Sequence, residues 1–197
     1  MVLDHDGRRM AGERTLEERV RELEDRTAIS ELIAQYGFHI DDRDVDALAG
    51  LFTNDAVMRS SDGVMNARGR DAVIEQFHGR FAALGPSNHF THDRVVELDR
   101  ADPDRATGLV VSHAEMTREG KAKVACIRYH DEYRRCADGQ WRFRERFLSF
   151  FYFTDPRELG QTLEETDRQK AYAEPAPAGW PESLETWKSY YAERPRP

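Results

Sequence analysis

The chain has 197 residues, with Asp+Glu 37 against Lys+Arg 29 and a formal net charge of −8. Hydrophobic residues make up 39% and charged residues 34%, which suits one cored domain with appendages and excludes a disordered chain or two full domains. No stretch nears the ~20 apolar residues of a membrane span, and the opening segment carries acidic residues in place of an apolar block. The acidic balance argues against a nucleic-acid surface, and a cytoplasmic location is expected.

After a flexible segment over residues 1–14, the first strong signal is helical. Leu16, Val20, Leu23, Ile29, Leu32, Ile33, Tyr36 and Ile40 recur at three- and four-residue spacing, the pattern of one long amphipathic helix. Thr15 with Glu18 reads as its capping box, and Asp41-Asp42-Arg43-Asp44 as its polar end. Asp44 is placed to cap a short second helix bearing Leu48, Leu51 and Phe52. A brief strand over Ala56 to Ser60 precedes a third helix, which follows Gly69, carries Val73, Ile74, Phe77 and Phe81, and stops at Gly85-Pro86.

The period then changes to two, with strands expected near 87–98, 106–118, 121–136 and 140–153. The last, ending FLSFFYF, is apolar on both faces and suits a central strand. Six of the eight prolines lie at or beyond Pro156, so the compact domain is expected over 15–155 and an extension over 156–197. Trp180, Trp187, Tyr190 and Tyr191 are costly to expose, which predicts that the extension docks on the domain or on a neighbouring protomer. The order of elements describes an α+β domain: a curved mixed or antiparallel sheet wrapping the long helix as a cone-like barrel, with a ligand pocket between them.

Cys126 and Cys136, if on one strand, stand ~33 Å apart and cannot bridge within it. His89, His92 and Asp93 are close in sequence, but a spacing of three on a strand sends side chains to opposite faces, so no metal site is expected. The absence of Gly-rich phosphate loops and of GxSxG leaves no motif for a nucleotide cofactor or a serine hydrolase.

LEDRTAISELIAQYGFHIDDRDVDALAGLFTNDAV, GRDAVIEQF, SNHFTHDRVVELD and RYHDEYRRCADGQWRFRER together resemble the SnoaL-like branch of the nuclear transport factor 2-like superfamily. Within that branch, the sequence is similar to cofactor-free lyases: scytalone dehydratase, bile-acid dehydratases and lindane dehydrochlorinase. Their Asp near the first helix's end and His on the first long strand match Asp41 and His89. An Arg five residues past the last strand's Trp141 matches Arg146, and a Tyr five residues before the Asp matches Tyr36.

The resemblance implies a cofactor-independent lyase, a dehydratase of an apolar polyketide, steroid or aromatic ring compound. In that reading Asp41 fixes the His89 tautomer, His89 removes a proton, and Tyr36 and Arg146 assist the developing oxyanion or the leaving group. Each has a plainer alternative: a helix-end carboxylate, a strand-edge histidine, a core tyrosine and a paired structural charge. Tyr36 and Asp41 are also ~140° apart on an ideal helix, which weakens their pairing.

Arg146 alternates with Leu148, Phe150 and Tyr152 on one face of the last strand, whereas Arg142 and Arg144 read as a solvated strip nearer the turn. His113, Tyr129, Phe150 and Tyr152 are expected to line the pocket, with His113 a possible second acid-base group. The same equipment fits an isomerase or cyclase. A non-catalytic binding module, or a subunit like the β chains of ring-hydroxylating dioxygenases, is the reading from another class. By resemblance the assembly is a homotrimer, or else a homodimer.

Overall fold

The computed structural model describes residues 14–172 and 174–194, so the N-terminal arm lies, up to residue 13, outside the described residues. Helix α1 runs from Leu16 to Asp42. Its first turn is closed as expected: Glu18 N–H donates to the Thr15 hydroxyl at 3.0 Å, and Thr15 N–H donates to the Glu18 carboxylate at 2.6 Å. It ends where Arg43 turns left-handed, with φ 60°. Asp44 then caps α2 (Val45–Gly50) by accepting from Ala47 N–H at 3.1 Å.

Strands β1 (Phe52–Ser60) and β2 (Asn66–Arg68), helix α3 (Arg70–Ala83), and strands β3 (Leu84–Leu98), β4 (Arg105–Arg118), β5 (Lys121–Arg135) and β6 (Trp141–Thr154) follow. Three-residue β2 is too short to show a period in the sequence, and β1 begins four residues before the expected Ala56. The six strands form one sheet in the order β2-β1-β6-β5-β4-β3. β3 to β6 meander antiparallel, while β1 lies parallel to β6, so the sheet is mixed.

The core lies between α1, α3 and the concave face of the sheet. Ile29, Ile33, Leu48, Phe52, Val73 and Phe143 are essentially out of water, and burying each such side chain contributes roughly 1.5–3 kcal/mol. The other end of α1 is clamped: Arg135 donates from both terminal nitrogens to Asp25, at 2.6 and 2.7 Å, and Trp141 Nε1 donates to the same carboxylate at 3.1 Å.

Two bulges shape β6. Glu132 pairs with Glu145 but Tyr133 pairs with Phe143, leaving Arg144 extra; Cys126 pairs with Tyr152 but Ile127 pairs with Phe150, leaving Phe151 extra. Each extra residue bends the strand and reverses the inward-outward parity beyond it. Because β1 runs out at its Ser60–Leu148 pairing, the end of β6 has a free edge, and the C-terminal segment fills it. Phe153 N–H donates to the Arg168 carbonyl at 2.9 Å, and Lys170 N–H and Gly179 N–H donate to the Phe153 and Phe150 carbonyls, both at 2.7 Å.

Trp180 stacks on Phe151 at 4.8 Å, and the Arg128 guanidinium lies 3.7 Å from the Trp180 ring. The apolar outer side of β6 is thereby covered. Further on, in α5 (Glu185–Glu193), Tyr190 stays 54% exposed, so the aromatic residues of this segment do not all dock.

Candidate functional site

The end of α1 meets β3 at the open side of the cone. His89 Nδ1 lies 2.7 Å from Asp41 Oδ1, and His89 N–H donates to Asp41 Oδ2, also at 2.7 Å. The Ser87 hydroxyl donates to Asp41 Oδ1 at 2.7 Å. Burial opposes the Asp41 charge, but the His89 ring, Ser87 and the His89 amide together hold its carboxyl below the usual carboxylate range. With Nδ1–H committed to the carboxylate, Nε2 is the ring nitrogen left to take a proton.

Two residues that no spacing pattern indicates build this geometry. Arg43, in the left-handed position just past α1, donates to the Gly85 carbonyl at 2.7 Å and to the Ser87 hydroxyl at 3.2 Å, lashing the helix end to the start of β3. Ser87, two residues before His89 on the same face of β3, fills the remaining Asp41 lone pair. The only trace in sequence is Arg within the acidic break DDRD, which looked like a plain helix terminus.

His89 opens onto a narrow cavity between α1, α3 and the sheet, of about 40 Å³. Tyr36, Tyr129 and Phe150 all line it. Phe77, Phe81 and Phe153 add aromatic wall, and Met58, Met65 and Met116 add flexible wall, so a ring compound enters by repacking adaptable side chains. Tyr36 and Ile40, four residues apart on one face of α1, both line the cavity, whereas Asp41, ~140° round the helix from Tyr36, does not line it and meets it through His89. Burial, with Tyr129 beside it, pushes the Tyr36 phenol well above its ordinary range, so it stays a neutral donor.

Arg146 points inward, but one layer behind the cavity wall. It is 1% exposed, and its Nε and Nη2 donate to the Asp131 carboxylate at 2.9 and 2.8 Å. Its guanidinium carbon lies 4.0 and 4.1 Å from the Tyr36 and Tyr129 ring centroids. Here the paired structural charge is the better description. Arg146 does not line the cavity, and Asp131, inward-facing on the neighbouring strand, takes its Nε and Nη2 while Nη1 is left without a partner.

His113 and Tyr152 are corrections. β4 alternates with Ser112, Ala114 and Met116 buried toward the core, which turns His113 to the outer face. The Phe151 bulge turns Tyr152 outward too, where it meets His113 at 6.3 Å between centroids. The Arg144 bulge likewise separates Arg142 and Arg144 from the Arg146 face. Neither forms a bare solvated strip, since Arg142 bonds Asp138 and the Gly50 carbonyl, and Arg144 bonds Asp55.

A larger groove, about 640 Å³, runs over the outer face of the sheet between Val95, Leu109, His130 and Phe147. It lacks the Asp41–His89 pair and any enclosing helix. Both cysteines are free thiols. Among the described residues, no group of three or more His, Cys, Asp or Glu side chains is placed to hold a metal ion, and no helix is long and apolar enough to cross a membrane.

No curated protein matches the chain. Solved structures do: a candidate scytalone dehydratase from Novosphingobium aromaticivorans aligns with TM-score 0.66 at 22% identity, over 83% of this chain and 99% of that one. A type 2 hexachlorocyclohexane dehydrochlorinase, LinA, aligns with TM-score 0.63 at 19% identity, over 69% and 91%. A candidate aromatic ring hydroxylase from Novosphingobium aromaticivorans aligns with TM-score 0.60 at 26% identity, over 67% and 93%. At such identities the first two speak for the fold alone. The SnoaL-like domain model matches residues 21–147, more than half of the sequence, and the chain therefore belongs to the SnoaL-like family.

Proposed function

We propose that the protein is a cofactor-independent lyase, a dehydratase acting on an apolar cyclic substrate of polyketide, steroid or aromatic type. The observation that carries this reading is the hydrogen-bonded Asp41–His89 pair opening onto an aromatic-walled cavity. His89 Nε2 removes a proton made acidic by a neighbouring carbonyl or leaving group. Asp41 holds the tautomer and supports the imidazolium that forms, a contribution of roughly 10²- to 10⁴-fold for positioned acid-base groups.

The Tyr36 phenol donates to the developing oxyanion or departing hydroxide, and the Arg146 guanidinium behind it favours negative charge at that phenol face. Similarity in fold to a candidate dehydratase and a dehydrochlorinase is consistent with elimination chemistry. Isomerisation, cyclisation and halide elimination start from the same proton removal, so product analysis separates them: water loss supports this assignment, and rearrangement without loss of water replaces it. If His89→Ala turns over the true substrate near the wild-type rate, the assignment is wrong.

We further propose that the protein acts in the cytoplasm as a homotrimer, with a homodimer next in order. Exposed Phe90, Val95 and Leu109 on the outer sheet face supply apolar surface for assembly. Light scattering of the purified protein decides the copy number, and a monomer rejects both. A domain over 15–155 with a docked extension completes the proposal, and truncation after residue 156 is expected to lower solubility or oligomer order.

A further inference from the structure

The last turn of α3 places Arg80 where it borders both the cavity and an adjoining cleft beside the C-terminal segment. Arg118, from the end of β4, and Tyr172, from the C-terminal segment, border the same cleft, and Phe150 and Phe153 are shared between cleft and cavity. Arg118 stands 5.0 Å from the Tyr172 ring, and burial raises the pKa of the Tyr172 hydroxyl while Arg80 is near enough to favour its ionised form. Neither guanidinium has a close carboxylate. The Arg118 ion pair is a 3.9 Å contact to Glu119, which is 78% exposed, and Arg80 has no ion pair among the described residues.

The one acid bordering this cleft, Asp62, is already satisfied. It accepts from the Ser60 hydroxyl, from Val64 N–H and from Gln169 Nε2. That last bond fixes the Gln169 amide, leaving its Oε1 buried without a partner beside the cleft in a residue only 3% exposed. A buried oxygen of this kind is costly unless a donor from water or a ligand reaches it. Arg80 with no ion pair among the described residues, Arg118 with only the exposed Glu119, and an orphaned acceptor thus sit against an apolar wall.

We propose that this cleft is a carboxylate subsite of the same cavity, so that the substrate is an apolar ring compound carrying an acidic side group. The ring packs on Phe150 and Phe153. The carboxylate takes its hydrogen bonds from Arg80, with Arg118 supplying charge from the other side. A water donating to both Gln169 Oε1 and the carboxylate satisfies the remaining acceptor. This inference rests on reading the cavity as the substrate cavity.

Titration calorimetry with naphthalene-2-carboxylate and its uncharged isostere naphthalene-2-carboxamide tests it. The wild-type chain is expected to bind the acid at least 10-fold more tightly than the amide. Arg80→Ala should abolish that preference while changing amide affinity less than 2-fold, Arg80→Lys should retain part of it, and Arg118→Ala should reduce it about 3-fold. Equal affinity for the two probes, an unchanged preference in a folded Arg80→Ala protein, or no acid binding at millimolar concentration overturns the proposal.

His89→Ala keeps the two readings apart. It should leave the acid preference intact while turnover is lost, so turnover near the wild-type rate with the preference retained would sink the lyase and spare the subsite. Turnover of acidic and neutral rings with equal kcat/KM would do the reverse.

Discussion

Asp25 and Asp41 sit on the same helix, sixteen residues and roughly 24 Å apart, and both carboxylates are largely withdrawn from water. Asp25 is gripped by Arg135 and Trp141, a permanent cation and an indole, neither of which changes its proton count near neutrality. Asp41 is gripped by His89, Ser87 and a backbone amide, and one of these partners is an imidazole with a free ring nitrogen that lines a cavity. A carboxylate is a staple when its partner is fixed and the site is closed. It becomes chemical equipment when the partner can exchange a proton and a substrate can reach it.

Exchanging the character of these places should give effects of very different size. Asp41→Asn or His89→Ala is expected to lower kcat by ~10²–10⁴-fold, while far-ultraviolet circular dichroism stays unchanged. Asp131→Asn or Arg146→Met, at the pair behind the tyrosines, is expected to cost about 3–5 kcal/mol in urea unfolding, because one change leaves a buried charge or donor without its partner. Asp25→Asn should cost about 1–3 kcal/mol and leave turnover per folded molecule within a few fold. A large loss of turnover there, with stability intact, would erase the contrast between the two ends of α1.

Tyr36→Phe isolates the phenol from the ring. The ring meets Phe52, Phe77, Tyr129 and Phe143 at 5.7–6.3 Å between centroids, so melting temperature should barely move. Turnover should fall by about 10-fold if the hydroxyl donates to the reacting oxygen. The smallest effect is in pH. The Asp41 carboxyl is held below its ordinary value, so its ionised form favours the folded state above the unfolded carboxylate pKa, and that advantage fades as pH falls through the lower folded value. The stability gap between wild type and Asp41→Asn should therefore be full at pH 6 and shrink below about pH 4; a gap constant down to pH 2 would contradict it.

The parts of the molecule governed by local rules were legible in the chain itself. Thr15 with Glu18 marked the start of α1, Asp44 the start of α2, and Gly120 and Gly139, both with positive φ, the hairpins between long strands. Of the residues that spacing and resemblance assigned to the site, Tyr36, His89, Tyr129 and Phe150 line the cavity and Asp41 lies beside it. His113 and Tyr152, assigned there as well, turn to the outer face, and Arg146 stops short of the cavity. Strict alternation carries a side chain's direction along a strand only while no residue is inserted, and the Phe151 bulge broke that count for Tyr152.

Composition, charge and periodicity by themselves determined an acidic chain of α+β class, the approximate limits of its main helices and strands, and an aromatic last strand bound for the interior. Only the tertiary structure decided which polar residues meet. Asp41 found His89 through the Arg43 and Ser87 bonds, Arg146 was claimed by Asp131, and Arg80 was left facing Tyr172 without a carboxylate. Helix and strand patterns are set by neighbours a few residues apart. Hydrogen-bond partnership is set by distances in space between residues far apart in the chain, and those exist only once the sheet has curved around the helix.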